Sequence, residues 1–269
     1  QLEQFKNLPF GAFRDYIKKT CHGIGNALLV LMVDEFERLD TLVRSGKVEQ
    51  EIYDQLRSLM QFEPNLTFLL AGTHEFEELS SDYRNLVHSI AVIREISFME
   101  KPDAIDLIRK SVDALVSYED SAVEELWHYT HGHPFLLQRL CFNLIEDMNR
   151  RGDGNFVAQG HVDNIIERFT QEGNLEPLLE RCTKSDKAIL FALAEAGQKH
   201  QQGMTQFELS ELLHDFSDEE VAASLARLLK RALIEKSAPR QGQVEFSHTI
   251  ILLSRWMAAN PAVLQEKGN

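Results

Sequence analysis

The sequence predicts an α/β fold in its first part, followed by helices and then by a compact segment of three helices and a β-hairpin. Residues 28–33 form an unbroken apolar run, which is typical of a strand buried on both faces of a parallel sheet, and the mostly apolar residues 66–71 are a second candidate for such a strand. From residue 102 onward, apolar residues recur at helical spacing. We therefore expect three segments, residues 1–100, 101–182 and 183–269.

Helices and strands alternate in the first segment. A helix is expected over residues 4–19, and helical spacing over residues 52–60 predicts another between the two apolar runs. A third, shorter strand is predicted over residues 90–96. Because strands separated by helices pair in parallel through right-handed crossovers, these elements predict a parallel sheet.

Two acids, Asp34 and Glu35, follow the first strand directly. They would lie at the carboxyl edge of the sheet, where open α/β sheets bind their ligands. The first carboxylate could hold a hydrated Mg²⁺ beside nucleotide phosphates, and the second could polarise an attacking water. The alternative is an ordinary buried strand followed by an acidic helix N-terminus that complements the helix dipole.

The helical segments carry clear start signals. Pro134 fits the first turn of a helix, and the pairs Thr205 with Glu208 and Ser217 with Glu220 are capping-box signatures. Two short β-rich runs then flank a turn near residue 242. Three helices followed by a hairpin outline a winged helix in residues 183–269.

Composition excludes several classes of function. The formal charge of −14 disfavours general nucleic-acid binding, because phosphate attraction needs a basic face. Three widely spaced cysteines fit reduced thiols, and hence a cytoplasmic protein, better than a disulfide framework or a zinc site. No apolar run approaches the roughly 18 residues of a membrane helix, so we expect no membrane partner.

Three motifs of this sequence occur in the same order as in AAA+ and STAND ATPases. Residues 33–35 resemble a Walker B motif, the strand ending at Gly72 resembles the sensor 1 strand, and residues 131–138 resemble the Gly-x-Pro element of the lid. The resemblance implies the Walker B half of an ATPase core in residues 1–100, a helical lid in 101–182 and a winged helix in 183–269. It also implies ATP and Mg²⁺ as ligands.

The same resemblance assigns roles to individual residues. It implies that Asp34 associates with Mg²⁺ and that Glu35 activates water. Thr73 would sense phosphate, although a threonine after Gly72 could equally cap a helix. His133 and Pro134 would line the nucleotide pocket, and a simple helix start is their alternative role. Arg84 and Arg94 are possible arginine fingers, and surface solvation is their alternative role.

A phosphate-binding loop is missing from the sequence. Such a loop needs Gly-x-x-x-x-Gly-Lys-Ser/Thr before Walker B, whereas Gly46 and Lys47 lie after it and are followed by Val48. We expect the first strand and this loop to belong to a part of the parent protein outside this sequence. The alternative is a degenerate fold kept as a scaffold. As given, the chain is expected to bind ATP weakly or not at all.

Three functions remain open at this point. The first is the C-terminal portion of an ATP-hydrolysing STAND or AAA+-like switch that acts with a protein partner or by self-association. The second is a non-catalytic interaction scaffold. The third is a DNA-associated ATPase of the replication-initiator or transposition type, which the acids at 218–220 disfavour because they open the expected recognition helix.

Overall fold

The computed structural model describes residues 9–72, 81, 91–112, 115–199, 203–240 and 242–264. The chain divides into two compact units, Gln1–Glu95 and Ile96–Asn269. The expected site residues Thr73 and Arg84 lie outside the described residues. The expected lid and winged-helix segments both lie within the second unit.

The first unit is built around two parallel strands. Strands β1 and β2 pair in register, with Leu29 opposite Leu66 and Val33 opposite Leu70, so the two strands expected from the apolar runs are present. One face of the pair packs against Ile17 and the other buried apolar residues of two helices. The elements are α1 (Pro9–Gly23), β1 (Leu29–Val33), α2 (Arg38–Arg44), α3 (Ile52–Phe62) and β2 (Leu66–Leu70).

The described residues leave the opposite face of this sheet uncovered. Val30, Met32 and Leu69 are 47%, 72% and 58% exposed. The expectation that both faces are buried is therefore wrong within the described part of the chain, because no helix there covers the second face. The expected strand over residues 90–96 is also wrong for the described residues 91–96, which have no regular secondary structure.

The second unit is mainly helical, with two small sheets. A parallel bridge pairs β3 with β4, and an antiparallel sheet has the order β5-β7-β6. The elements are α4 (Lys101–Lys110), β3 (Ser117–Tyr118), α5 (Asp120–Thr130), α6 (Pro134–Arg151), β4 (Phe156–Val157), α7 (Gln159–Glu172), a 3₁₀ turn (Glu176–Leu179), α8 (Lys184–Gln198), β5 (Met204–Thr205), α9 (Gln206–Leu212), α10 (Asp218–Lys230), β6 (Ile234–Arg240), β7 (Gln243–His248), α11 (Ile251–Ala259) and a 3₁₀ turn (Pro261–Leu264).

One hydrophobic core runs through the second unit, from Ala104 in α4 to Met257 in α11. The last helix is tied to the earlier ones, since the Arg255 guanidinium lies 4.7 Å from the centre of the Tyr129 ring. The segments 101–182 and 183–269 therefore share a core. None of the helices in the described ranges has the length and apolar character that a bilayer crossing requires.

Sequence signals at the helix starts are confirmed. Thr205 and Ser217 accept hydrogen bonds from the amides of Glu208 and Glu220, whose carboxylates bond back to the cap amides. Each box satisfies helix amides that would otherwise lack partners. Pro134 is the first residue of α6, where its missing amide hydrogen costs nothing.

Candidate functional site

The acidic pair lies in an exposed turn at the carboxyl end of β1. The strand pairing continues one step past the strands, because Ala71 N–H donates to Val33 O (2.9 Å) and Phe36 N–H donates to Ala71 O (3.0 Å). Phe36 then turns into a small core with Tyr53. Asp34 and Glu35 are left at the surface, beside the end of the neighbouring parallel strand.

The turn holds both carboxylates in defined positions. Asp34 Oδ1 accepts a hydrogen bond from the Glu35 amide at 2.8 Å. Glu35 has a left-handed backbone with φ of +49°, which is uncommon for a residue that is not glycine, asparagine or aspartate. Its Oε2 accepts from Arg38 Nη1 at 2.9 Å. The side chains of Glu35 and Arg38 are 60% and 78% exposed, so this ion pair is weak and the carboxylate stays accessible.

A buried acid lies directly beneath this turn. Glu37 is 6% exposed, and its carboxylate lies so close to Gly72 that a Cβ at position 72 would be 2.3 Å from Oε2. Gly72 follows β2, so the absence of a side chain there makes room for the Glu37 carboxylate. This contact joins the loop after β1 to the loop after β2.

The Gly-x-Pro element forms a tight turn in the second unit. His131 is left-handed (φ +47°) and stacks on Trp127, with ring centres 5.3 Å apart. His133 precedes α6, and its ring centre lies 4.8 Å from that of Phe98. Burial lowers the pKa of His133. Its buried Nδ1 has no hydrogen-bond partner among the described residues.

The other expected site residues are placed as follows. Arg94 is exposed in the segment 91–97, which has no regular secondary structure. Thr73 and Arg84 fall outside the described ranges. Asp34 and Glu35 belong to the first unit, whereas His133 and Pro134 belong to the second.

The exposed carboxylate of Asp34 is of a type that Mg²⁺ accepts as a ligand. Mg²⁺ is commonly bound through one or two carboxylates together with waters and substrate phosphates. Asp34 is exposed, and its hydrogen bond to the Glu35 amide orients the carboxylate. No cluster of three or more His, Cys, Asp or Glu side chains suited to a metal occurs among the described residues. A single carboxylate is compatible with a Mg²⁺ whose other ligands are waters and nucleotide oxygens.

Two residues of this site were missed by sequence reasoning. Arg38 lies three positions after Glu35, and that spacing is the signal that could have identified the pair. Glu37 carries no comparable signal. In the sequence, Glu37 lies close to other acidic residues and resembles an ordinary surface residue. Only the fold shows that it is buried against Gly72.

The chain matches one protein family and is similar to several solved structures. The family model described as Novel STAND NTPase 1 matches residues 7–267. The ORC2 protein of Aeropyrum pernix, solved in ADPNP–ADP complexes, is similar over 94% of this chain and 70% of that one, with 14% identity and a TM-score of 0.63. The RuvB Holliday junction branch migration motor of Thermotoga maritima is similar over 85% and 71%, with 19% identity and a TM-score of 0.45. Curated proteins give no significant match.

Proposed function

The chain belongs to the novel STAND NTPase 1 family, and we propose that it is the Walker B, lid and winged-helix portion of an ATP-hydrolysing switch. The family match carries this proposal, and the likeness to ORC2 supports the AAA+-like α/β fold. The family is one of NTPases, so nucleotide binding is the general function that the match supports.

In this proposal Asp34 and Glu35 act on a bound Mg²⁺–ATP. The metal would neutralise charge on the phosphates when bound. Asp34 would hold it through the carboxylate that the Glu35 amide orients. Glu35 would accept a hydrogen bond from the attacking water, and its exposed pair with Arg38 is weak enough to allow this. Thr73, His133 and Pro134 would contact nucleotide, and Arg84 or Arg94 would act on a neighbouring subunit.

The unpaired edges of the β-sheet support the expectation that another segment completes the site. In the described residues β1 and β2 pair only with each other, so each strand has an edge at which a further strand could pair. The sequence itself lacks a phosphate-binding loop. We therefore propose that the loop is supplied by another part of the protein.

The switch would move its C-terminal segments together. The expected lid (101–182) and winged helix (183–269) share one core, and Asn260 Nδ2 donates to Thr170 O at 3.2 Å across them. A nucleotide that engages His133 would therefore act on both segments at once. The three helices and the sheet β5-β7-β6 support the winged-helix assignment.

The test is ATP turnover and binding by the full-length product of the gene, with Glu35→Gln compared with wild type. Removing the water-polarising carboxylate is expected to lower turnover about 100-fold or more and to leave ATP affinity within about twofold. Glu51→Gln is the control, because Glu51 is another exposed acid of the first unit, at the start of α3. Unchanged turnover in Glu35→Gln removes this residue from catalysis.

The scaffold remains the second candidate, because the missing phosphate-binding loop favours it. It predicts no measurable turnover and no ATP binding by the full-length product in isothermal titration with Mg²⁺–ATP. Micromolar affinity excludes it. Micromolar affinity of the present chain alone would overturn the expectation that a separate loop is required.

A further inference from the structure

A small cavity of the second unit lies where the segment before α4 meets α5, α10 and β6. Its volume is about 290 Å³, near the lower end of the roughly 300–1,000 Å³ typical of small-molecule sites. His133 and Pro134, which are assigned to nucleotide, are not among the described residues that line it. The cavity is therefore separate from the nucleotide assignments.

Aromatic side chains form part of the cavity wall. Trp127 and Phe98 both line it, together with His131, whose ring stacks on Trp127. The π system of an aromatic ring carries negative charge on its faces, and tryptophan attracts cations more strongly than the other aromatic side chains do. This wall favours a cationic ligand over an anionic one.

Two carboxylates belong to the same lining. Glu100 lies directly before α4, and Glu235 lies in β6, so they approach the cavity from two different elements. Both residues are exposed to solvent. Lysine and arginine are absent from the described residues that line the cavity. Its charge is therefore negative, and a cation is the complementary ligand.

Three basic residues adjacent in sequence to this lining are directed elsewhere. Lys101 Nζ donates to Glu124 Oε2 at 2.6 Å. Arg231 Nη2 donates to a carbonyl oxygen of the 3₁₀ turn before α8 at 3.3 Å. Lys236 follows Glu235 in β6, and successive side chains of a strand point to opposite faces. These neighbours therefore do not supply the counter-charge.

We infer that this cavity binds a small organic cation with a methylated ammonium group. Glu100 and Glu235 supply the counter-charge, and Trp127 and Phe98 supply the aromatic contacts that such groups favour. An anion is repelled by both carboxylates, and a neutral molecule gains no attraction from them. The ligand contacts the expected lid through Trp127 and the expected winged helix through Glu235. The inference does not rest on the proposed nucleotide chemistry.

Choline is the probe, and its neutral isostere, in which carbon replaces the ammonium nitrogen, is the matched control compound. Trp127 lines the cavity, whereas Trp256 is 3% exposed in the core, so the tryptophan emission of the chain reports occupancy. Choline should give a saturable change in emission. The isostere should bind at least about tenfold more weakly, because it loses the ionic and cation–π attraction. Sodium chloride keeps the ionic strength constant during both titrations.

Carboxylate variants locate the binding. Glu100→Gln and Glu235→Gln should each weaken choline binding about two- to fivefold, and the double variant about tenfold. Affinity for the neutral isostere should not change. Both glutamates are exposed, so these replacements should leave the fold intact. Glu195→Gln is the matched control, because Glu195 is an exposed acid of α8 outside the cavity lining, and it should bind choline as wild type does.

Any of four results overturns the inference. The first is no saturable response of the wild-type chain to choline, and the second is equal affinity for choline and its neutral isostere. The third is wild-type affinity in the double variant, which would place the choline elsewhere. The fourth is a loss in Glu195→Gln as large as in Glu235→Gln, because the net charge of the protein would then account for the binding.

Discussion

Gly132 offers the sharpest test of how the Gly-x-Pro turn is packed. Its φ is +72°, and a Cβ added there would lie 2.3 Å from Met99 O and 2.6 Å from Trp127 Cζ3. The Met99 amide also donates to Gly132 O at 2.9 Å. A side chain at position 132 would therefore push apart the segment before α4 and the end of α5.

The expected cost of Gly132→Ala has two parts. A left-handed backbone costs a non-glycine residue about 1–2 kcal/mol. Overpacking against a backbone oxygen and a tryptophan ring adds about 1–3 kcal/mol. The free energy of unfolding should therefore fall by about 2–5 kcal/mol. Gly152 separates the two parts, because its φ is +74° and nothing lies within 4 Å of the position that a Cβ would take there.

Urea unfolding followed by tryptophan fluorescence measures this difference. Both tryptophans, Trp127 and Trp256, belong to the second unit, so the signal reports that unit alone. Gly152→Ala should cost only the conformational part, about 1–2 kcal/mol. If Gly132→Ala costs no more than Gly152→Ala, the close approach of Met99 and Trp127 to Gly132 is refuted.

Two other predictions concern buried ionisable groups of the second unit. His248 Nε2 lies 2.7 Å from Leu190 O, and burial lowers its pKa from 6.5 to about 4, partly opposed by that hydrogen bond. Only the unfolded chain then gains this proton between pH 6.5 and 4, so stability should fall by about 2 kcal/mol from pH 6.5 to pH 5. Urea unfolding at both pH values measures this change. In His248→Gln the free energy of unfolding should change less with pH than in wild type. An equal change in the two proteins would contradict the role given to His248. Arg227 Nη2 donates to Asp186 Oδ1 at 2.9 Å, and the Asp186 side chain is 1% exposed. Arg227→Met should cost about 3 kcal/mol by leaving that carboxylate with fewer partners, and Asp186→Asn should recover part of the loss in a double-mutant cycle, whereas additive losses argue against the pair.

Local chemistry explains what the sequence could predict. The runs at 28–33 and 66–71 became β1 and β2 because mainly apolar residues suit a strand in a parallel sheet. Thr205 and Ser217 mark helix starts because a hydroxyl satisfies free amides of the first turn. These signals operate within a few residues and need no information about the rest of the fold.

The failures have a common physical origin in distant contacts. An apolar run does not encode which of its faces will be covered, so the exposure of Met32 could not be read from it. Residues 91–96 are also rich in apolar side chains yet form no strand, because strand formation needs a partner edge. The burial of Glu37 depends on Gly72, which lies far along the chain.

The geometry of the acidic turn also bears on the alternative that Asp34 and Glu35 serve the following helix. Helix α2 begins at Arg38 and has Glu37 at its cap position, without a side-chain cap. Asp34 bonds to the Glu35 amide, which lies outside the helix, and Glu35 bonds to the Arg38 side chain. Neither carboxylate accepts a hydrogen bond from an amide of the first turn, so neither caps α2, and only attraction to the helix dipole remains of that alternative. Glu35 therefore has a left-handed backbone that no capping role explains. Backbone strain of this kind is concentrated at functional sites.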